Sequence, residues 1–212
     1  MSSIGYIEEK RKNWDYNHSQ VGSPVHFVTG TNFEEVMQHH HLPMPTNKLI
    51  LDIGIGTGQT IRQLKENKNR VIACDASKVA LDHSSEWWDE SCLTQDLNKL
   101  EPVDLAVCHL VMQHNHEEEV VRIINDVNLK EEGVFSFQFS CLHPEKSNNL
   151  SKLIIDDINK GMLFFYSPDK MEQMVERTNK TTYDLIGPKW FDDPFLFEWY
   201  VMKVQMGDYN KE

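Results

Sequence analysis

Cysteine is scarce and poorly spaced for metal binding. Cys74, Cys92, Cys108 and Cys141 are the four in 212 residues, they form no CxxC pair, and two of them lie inside apolar runs where a thiol serves as a small hydrophobe. A chain of this length needs no disulfide staple, so reduced thiols are expected. No group of His, Cys and Asp has ligand spacing either, and no metal site is expected. Long hydrophobic runs are absent: none approaches the roughly 18 apolar residues of a membrane span, and the N-terminal MSSIGYIEEKRKNW lacks the apolar centre of a secretion signal. A cytoplasmic protein that makes no membrane contact is the expectation. Positive charge is also in deficit, with 21 Lys and Arg against 33 Asp and Glu, a net charge of −12. Such a surface repels polyanions, so no nucleic-acid partner is expected.

What is present is an alternation of short apolar runs and helix-like segments between Lys48 and Phe139, which argues for an α/β fold built on a parallel sheet. Lys48 to Ile53 reads as the first strand and Arg70 to Cys74, ending at Asp75, as the second. A short third strand is placed at Ser91 to Leu93, a fourth at Val103 to Cys108 and a fifth at Gly133 to Phe139. Ser77 is positioned to cap a short helix. Val120, Val121, Ile123, Ile124 and Val127 mark one face of another. After a helix around Leu150 to Ile158, Ser167-Pro168 is a strong helix start, with Met171, Met174 and Val175 on the inner face. Thr182 to Ile186 and Phe195 to Val204 read as two final strands, too close in sequence for a crossover helix and therefore antiparallel. Trp87 and Trp88 find no place in this scheme.

The first strand ends in Asp52 and breaks into Gly54-Ile55-Gly56-Thr57-Gly58. Residues without Cβ let a backbone take unusual dihedrals and come close to a ligand. Gln59 stands where a dinucleotide fingerprint needs its third glycine, and no lysine follows Gly58 as a phosphate loop requires. Asp75 lies about 20 residues on, at the distance where an acid accepts from ribose hydroxyls. A nucleoside without a pyrophosphate fits this pattern best.

Leu51 to Gly58, followed by Asp75, Asp96 and Cys108-His109, resembles the class I S-adenosylmethionine-dependent methyltransferases. The resemblance is close over Lys48 to Phe139 and looser beyond. It implies a Rossmann-like, seven-stranded, mostly parallel sheet with a C-terminal antiparallel hairpin and helices on both faces. It implies S-adenosylmethionine as cofactor, held by Asp52, by Gly54, Gly56 and Gly58, by Asp75 at the ribose, by Asp96 with Leu97 at the adenine, and by His109. One departure is at Asn179-Lys180, where the family usually carries a glycine before the sixth strand. The Asn/Asp-Pro-Pro-Tyr motif of many amino-methylating enzymes is replaced by Cys108-His109-Leu110-Val111, and no Pro-Cys nucleophile is present.

Three histidines fall in His109 to His116, leaving the carboxyl end of the fourth strand, where ligands of open α/β sheets bind. An imidazole of near-neutral pKa suits removal of a proton from a methyl acceptor. His114 and His109 are the candidate catalytic residues, His114 ahead because it lies one turn further on. The triplet His39-His40-His41 cannot place three rings on one helical face and reads as a solvated turn before Pro43. One domain is expected over 1–212: 1–46 as a helical lid or an edge segment, 47–140 as the cofactor core, and 141–212 as a substrate-side insertion and terminal hairpin. The expected activity is methyl transfer to an oxygen or nitrogen of a small molecule such as a sugar or secondary metabolite. The alternatives are a nucleic-acid methyltransferase and a catalytically silent cofactor-binding subunit.

Overall fold

The structure is a computed structural model that describes residues 12, 14–16, 19, 33–56, 58, 61–142, 163–189 and 197–207. The strands are β1 (Leu49–Ile53), β2 (Arg70–Asp75), β3 (Glu90–Leu93), β4 (Val103–Cys108), β5 (Leu129–Leu142), β6 (Lys180–Lys189) and β7 (Phe197–Met206). They form one sheet in the order β3-β2-β1-β4-β5-β7-β6. β1 to β5 run parallel, and β7 lies antiparallel between β5 and β6. This is the sheet expected from the sequence, down to the terminal hairpin.

Every residue of β1 is buried, as a strand covered on both faces by crossover helices must be. Side-chain alternation sends Leu49, Leu51 and Ile53 to one layer and Ile50 to the other. The first layer is closed by α4 (Glu117–Asp126), through Val120, Ile123 and Ile124, and by α5 (Pro168–Glu176), through Met171, Met174 and Val175. The second is closed by α1 (Phe33–His39), α2 (Arg62–Glu66) and α3 (Lys78–His83). Ser77 caps α3 by accepting from the Ala80 N–H, and Ser167 caps α5 by accepting from Lys170, with Pro168 in the first turn. Each such cap stabilises its helix by about 1 kcal/mol. Trp87 and Trp88 are half-buried against the second layer, and the Trp88 indole donates to the Leu81 carbonyl at 3.3 Å.

Two strands depart from expectation. β5 starts at Leu129 rather than Gly133 because its register with β4 slips: Val103 pairs with Leu129 and Leu105 with Val134. β6 begins at Lys180, the position of the departed glycine. Its buried ammonium donates to the Asn125 carbonyl at 3.3 Å, near the end of α4, and burial pushes its pKa down to about 8. The expected helix around Leu150 lies outside the described residues. Among the described residues no helix is long and apolar enough to cross a membrane.

Candidate active site

Beyond Ile53 the chain passes through Gly54, Gly56 and Gly58 with φ of +81°, +56° and +73°. These are left-handed conformations that other residues adopt only under strain. The Gly54 N–H donates to the Cys74 carbonyl at 2.7 Å, tying the loop to the end of β2. A Cβ at Gly54 would stand 2.2 Å from Val111 Cγ2, so the segment after β4 closes on the loop.

Asp75, at the end of β2, joins the loop to the next helix. Its Oδ2 accepts from the Gly56 N–H at 3.1 Å and its Oδ1 from the Ser77 N–H at 2.8 Å. Asp52 is buried nearby, and its pKa is pushed up to about 7, first by burial and then by the charge of Asp75. Two carboxylates that cannot comfortably both ionise make a site that favours a cation-bearing ligand. Asp96 and Leu97 lie on the 3₁₀ turn Thr94–Lys99 that follows β3. Leu97 is fully buried, and Asp96 is paired with Lys99 at 2.6 Å. The structure thus bonds Gly56 to Asp75, couples Asp52 to Asp75 through their charges, and sets Asp96 and Leu97 just past the neighbouring strand end.

The histidine turn corrects the sequence reading. His40 is not solvated but wholly buried. Its Nδ1 lies 2.7 Å from Ser136 Oγ and its Nε2 lies 3.2 Å from His109 Nδ1. The His39 ring is 6.0 Å from that of His109. His41 turns the chain with φ +49°, and its carbonyl accepts from Lys203 at 3.2 Å. The three rings do diverge, as their adjacency requires, yet the turn is drawn inward because the sheet beneath it is polar. β5 alternates Phe135, Phe137 and Phe139 with Ser136, Gln138 and Ser140, all six buried, and Lys203 pairs in register with Ser136. A buried polar row needs hydrogen-bonding cover, and His40 supplies part of it. The sequence signal was that period-2 alternation on a strand in the middle of a sheet, where continuous apolarity is the rule.

His109 follows β4 directly. Burial, with His39 adding to it, pushes its pKa down to about 4. His114 ends the 3₁₀ turn Met112–His114, and its ring meets Trp14 edge-on at 5.3 Å. Trp14, Asp15 and Tyr16 are helical, and Asp15 accepts from the Ser77 hydroxyl at 2.6 Å. The N-terminal segment therefore touches both the loop after β2 and the turn after β4, at the carboxyl edge of the sheet. Among the described residues no group of three or more His, Cys, Asp or Glu is placed to hold a metal ion.

Residues 50–133, from β1 into β5, match the family model of a methyltransferase domain. Comparison with curated proteins gives no match. Among solved structures the chain is similar to geranyl diphosphate C-methyltransferase from Streptomyces coelicolor, with 10% identity, 96% of this chain and 99% of that one covered, and a TM-score of 0.66. It is similar to a TehB-like S-adenosylmethionine-dependent methyltransferase from Corynebacterium glutamicum, with 15% identity, coverage of 97% and 100%, and a TM-score of 0.59. Magnesium protoporphyrin IX methyltransferase from Synechocystis follows at 15% identity, with coverage of 95% and 94% and a TM-score of 0.55. At such identities the likeness is one of fold. The methyltransferase-domain match thus spans the glycine loop and its flanking strands, and the sheet closed by the antiparallel β7 has the fold of these methyltransferases.

Proposed function

We propose that the protein moves the methyl group of S-adenosylmethionine to an oxygen or nitrogen of a small molecule. The observation that carries the reading is the Asp75 carboxylate, which spans from the glycine loop to the α3 cap with one N–H on each oxygen. A carboxylate held in this way at the carboxyl end of the second strand is the acceptor that ribose hydroxyls require. The raised pKa of Asp52 fits the same ligand, because a sulfonium or ammonium beside it would let it ionise. When bound, S-adenosylmethionine supplies a methyl group on a positively charged sulfur that departs with the bonding pair.

The chain's own residues bind, orient and exclude water. Asp52, Gly54, Gly56, Gly58 and Asp75 hold the cofactor, with Asp96 and Leu97 at its far end. His109 and His114 border the acceptor side, and His109, tied to His40 at 3.2 Å, is the one held in place to take a proton. The helical residues at Trp14 and Asp15 are the lid candidates, through their contacts with His114 and Ser77, whereas Phe33–His39 belongs to the core. Among the described residues, Gln138 Oε1 and Ser140 Oγ are buried with no hydrogen-bond partner, which supports an acceptor that carries polar groups. The relatives that act on geranyl diphosphate and magnesium protoporphyrin IX support a small molecule rather than a nucleic acid.

Calorimetry tests the cofactor. S-adenosylmethionine and S-adenosylhomocysteine should bind and NAD should not; NAD binding of equal strength overturns the reading. Asp75→Ala should weaken the cofactor by about 1.5 to 3 kcal/mol, the scale of a hydrogen bond to a charged group, without unfolding the protein. The acceptor is then sought by incubating the protein with labelled S-adenosylmethionine and a fractionated small-molecule extract, with mass spectrometry of whatever gains a methyl group.

A further inference from the structure

We propose that His40 is a positioning residue: anchored on Ser136, it fixes the His109 ring as the Nδ1–H tautomer and so leaves the Nε2 lone pair to take the acceptor's proton. The inference rests on the reading that the chain methylates a small molecule, and it concerns the case of a hydroxyl acceptor.

Three side chains from three separate parts of the chain form one hydrogen-bonded line, Ser136 Oγ to His40 Nδ1 at 2.7 Å and His40 Nε2 to His109 Nδ1 at 3.2 Å. Ser136 sits in the middle of β5, His40 just past α1, and His109 at the end of β4. Ser136 and His40 are completely buried, so the line is shielded from water and its geometry is held by packing on both sides. Both nitrogens of His40 are occupied, whereas His109 uses only Nδ1 in the line. The neutral line has two arrangements. In one, His109 Nδ1–H donates to His40, which donates onward to Ser136. In the other, every donor points the opposite way and His109 carries its hydrogen on Nε2. Only the first can receive a proton at Nε2 with each bond of the line kept intact.

The surroundings decide what such a base is good for. The groups facing His40 and His109 are His39 from α1, His41 through its carbonyl, and Lys203 from β7, which is paired with Asp184 at 3.1 Å. No carboxylate stands behind His40 among its described contacts, and burial holds both rings neutral. A base this weak does not deprotonate a free alcohol or an ammonium group. It does take the proton of a hydroxyl oxygen that is already bonding to carbon, because that oxygen is then a strong acid. The oxygen's lone pair would form the new O–C bond while the methyl–sulfur bond breaks with its pair left on sulfur, the O–H bond breaks with its pair left on oxygen, and the proton moves to His109 Nε2.

The test is nitrogen NMR of the histidine rings of the full chain saturated with S-adenosylhomocysteine, which reads the tautomer without turnover. The expected result is that His109 shows a protonated Nδ1 and a bare Nε2. In His40→Leu the two signals should exchange or average, and Ser136→Ala should shift them in the same sense, while Ser136→Thr restores the original pattern. Affinity for S-adenosylhomocysteine should stay within about twofold in all three, since none of these side chains holds the cofactor. A protonated Nε2 on His109 in the unsubstituted protein, or a tautomer indifferent to both His40 and Ser136, overturns the proposal. Failure of the unsubstituted protein to bind S-adenosylhomocysteine overturns instead the methyltransferase reading on which it stands.

Discussion

Asp52→Asn should raise the melting temperature of the ligand-free protein at pH 8 and, in the same protein, weaken S-adenosylmethionine. In the fold the Asp52 carboxyl holds its proton up to about pH 7, against a usual value of 3.8. The folded chain therefore keeps a proton that the unfolded chain releases. Stability falls as pH rises from about 4 to about 7 and remains low above that window. Some three pH units correspond to a ceiling of about 4 kcal/mol. Asparagine has no proton to lose, so the variant should lose this slope and match the parent only near pH 4. The opposite holds for the ligand: a neutral amide gives up the attraction between an ionised Asp52 and a cationic cofactor, costing about 1.5 to 3 kcal/mol. Thermal unfolding at pH 4 and pH 8, with and without S-adenosylmethionine, reads both effects. A variant as pH-dependent as the parent would assign the slope to another group.

Gly56→Val should abolish cofactor binding with the sheet left in place. At φ +56° a β-branched residue meets its own backbone, at roughly 1 to 3 kcal/mol. The loop's escape from that strain breaks the Gly56 N–H bond to Asp75 and with it the orientation of the ribose acid. The two effects together should weaken binding more than about 100-fold, and Gly56→Ala should fall between. Circular dichroism must show an unchanged fold before the loss is credited to the site. Unaltered affinity in the valine variant would mean that the loop does not touch the cofactor.

Features decided locally are legible in the sequence, and those set by distant partners are not. β4 runs from Val103 to Cys108 as its apolar run predicts, and the caps at Ser77 and Ser167 form because a cap is decided within three residues. The glycines take positive φ where the loop pattern demands it. β5 was read short because its register slip is set by β4, not by its own residues. His40 was misplaced for the same kind of reason: its partner Ser136 lies 96 positions away, and a polar residue in a turn gives no local sign of such a partner. Asp52 was placed at the site, but its protonation depends on Asp75 across the β1–β2 pairing.

The strand order has a consequence for synthesis. β7 is made after β6, yet it lies between β5 and β6. While a ribosome is still producing residues 190–196, β1 to β5 can already pair with one another, but β6 has no strand to lie against, and the outer edge of β5 is open. Domains form from the amino end as they emerge, so the nascent chain waits with an unpaired edge carrying Phe135, Phe137 and Phe139. Such an edge invites pairing with any extended chain nearby. The order of emergence thus makes β7 the strand that ends the chain's exposure to misassembly during its own translation.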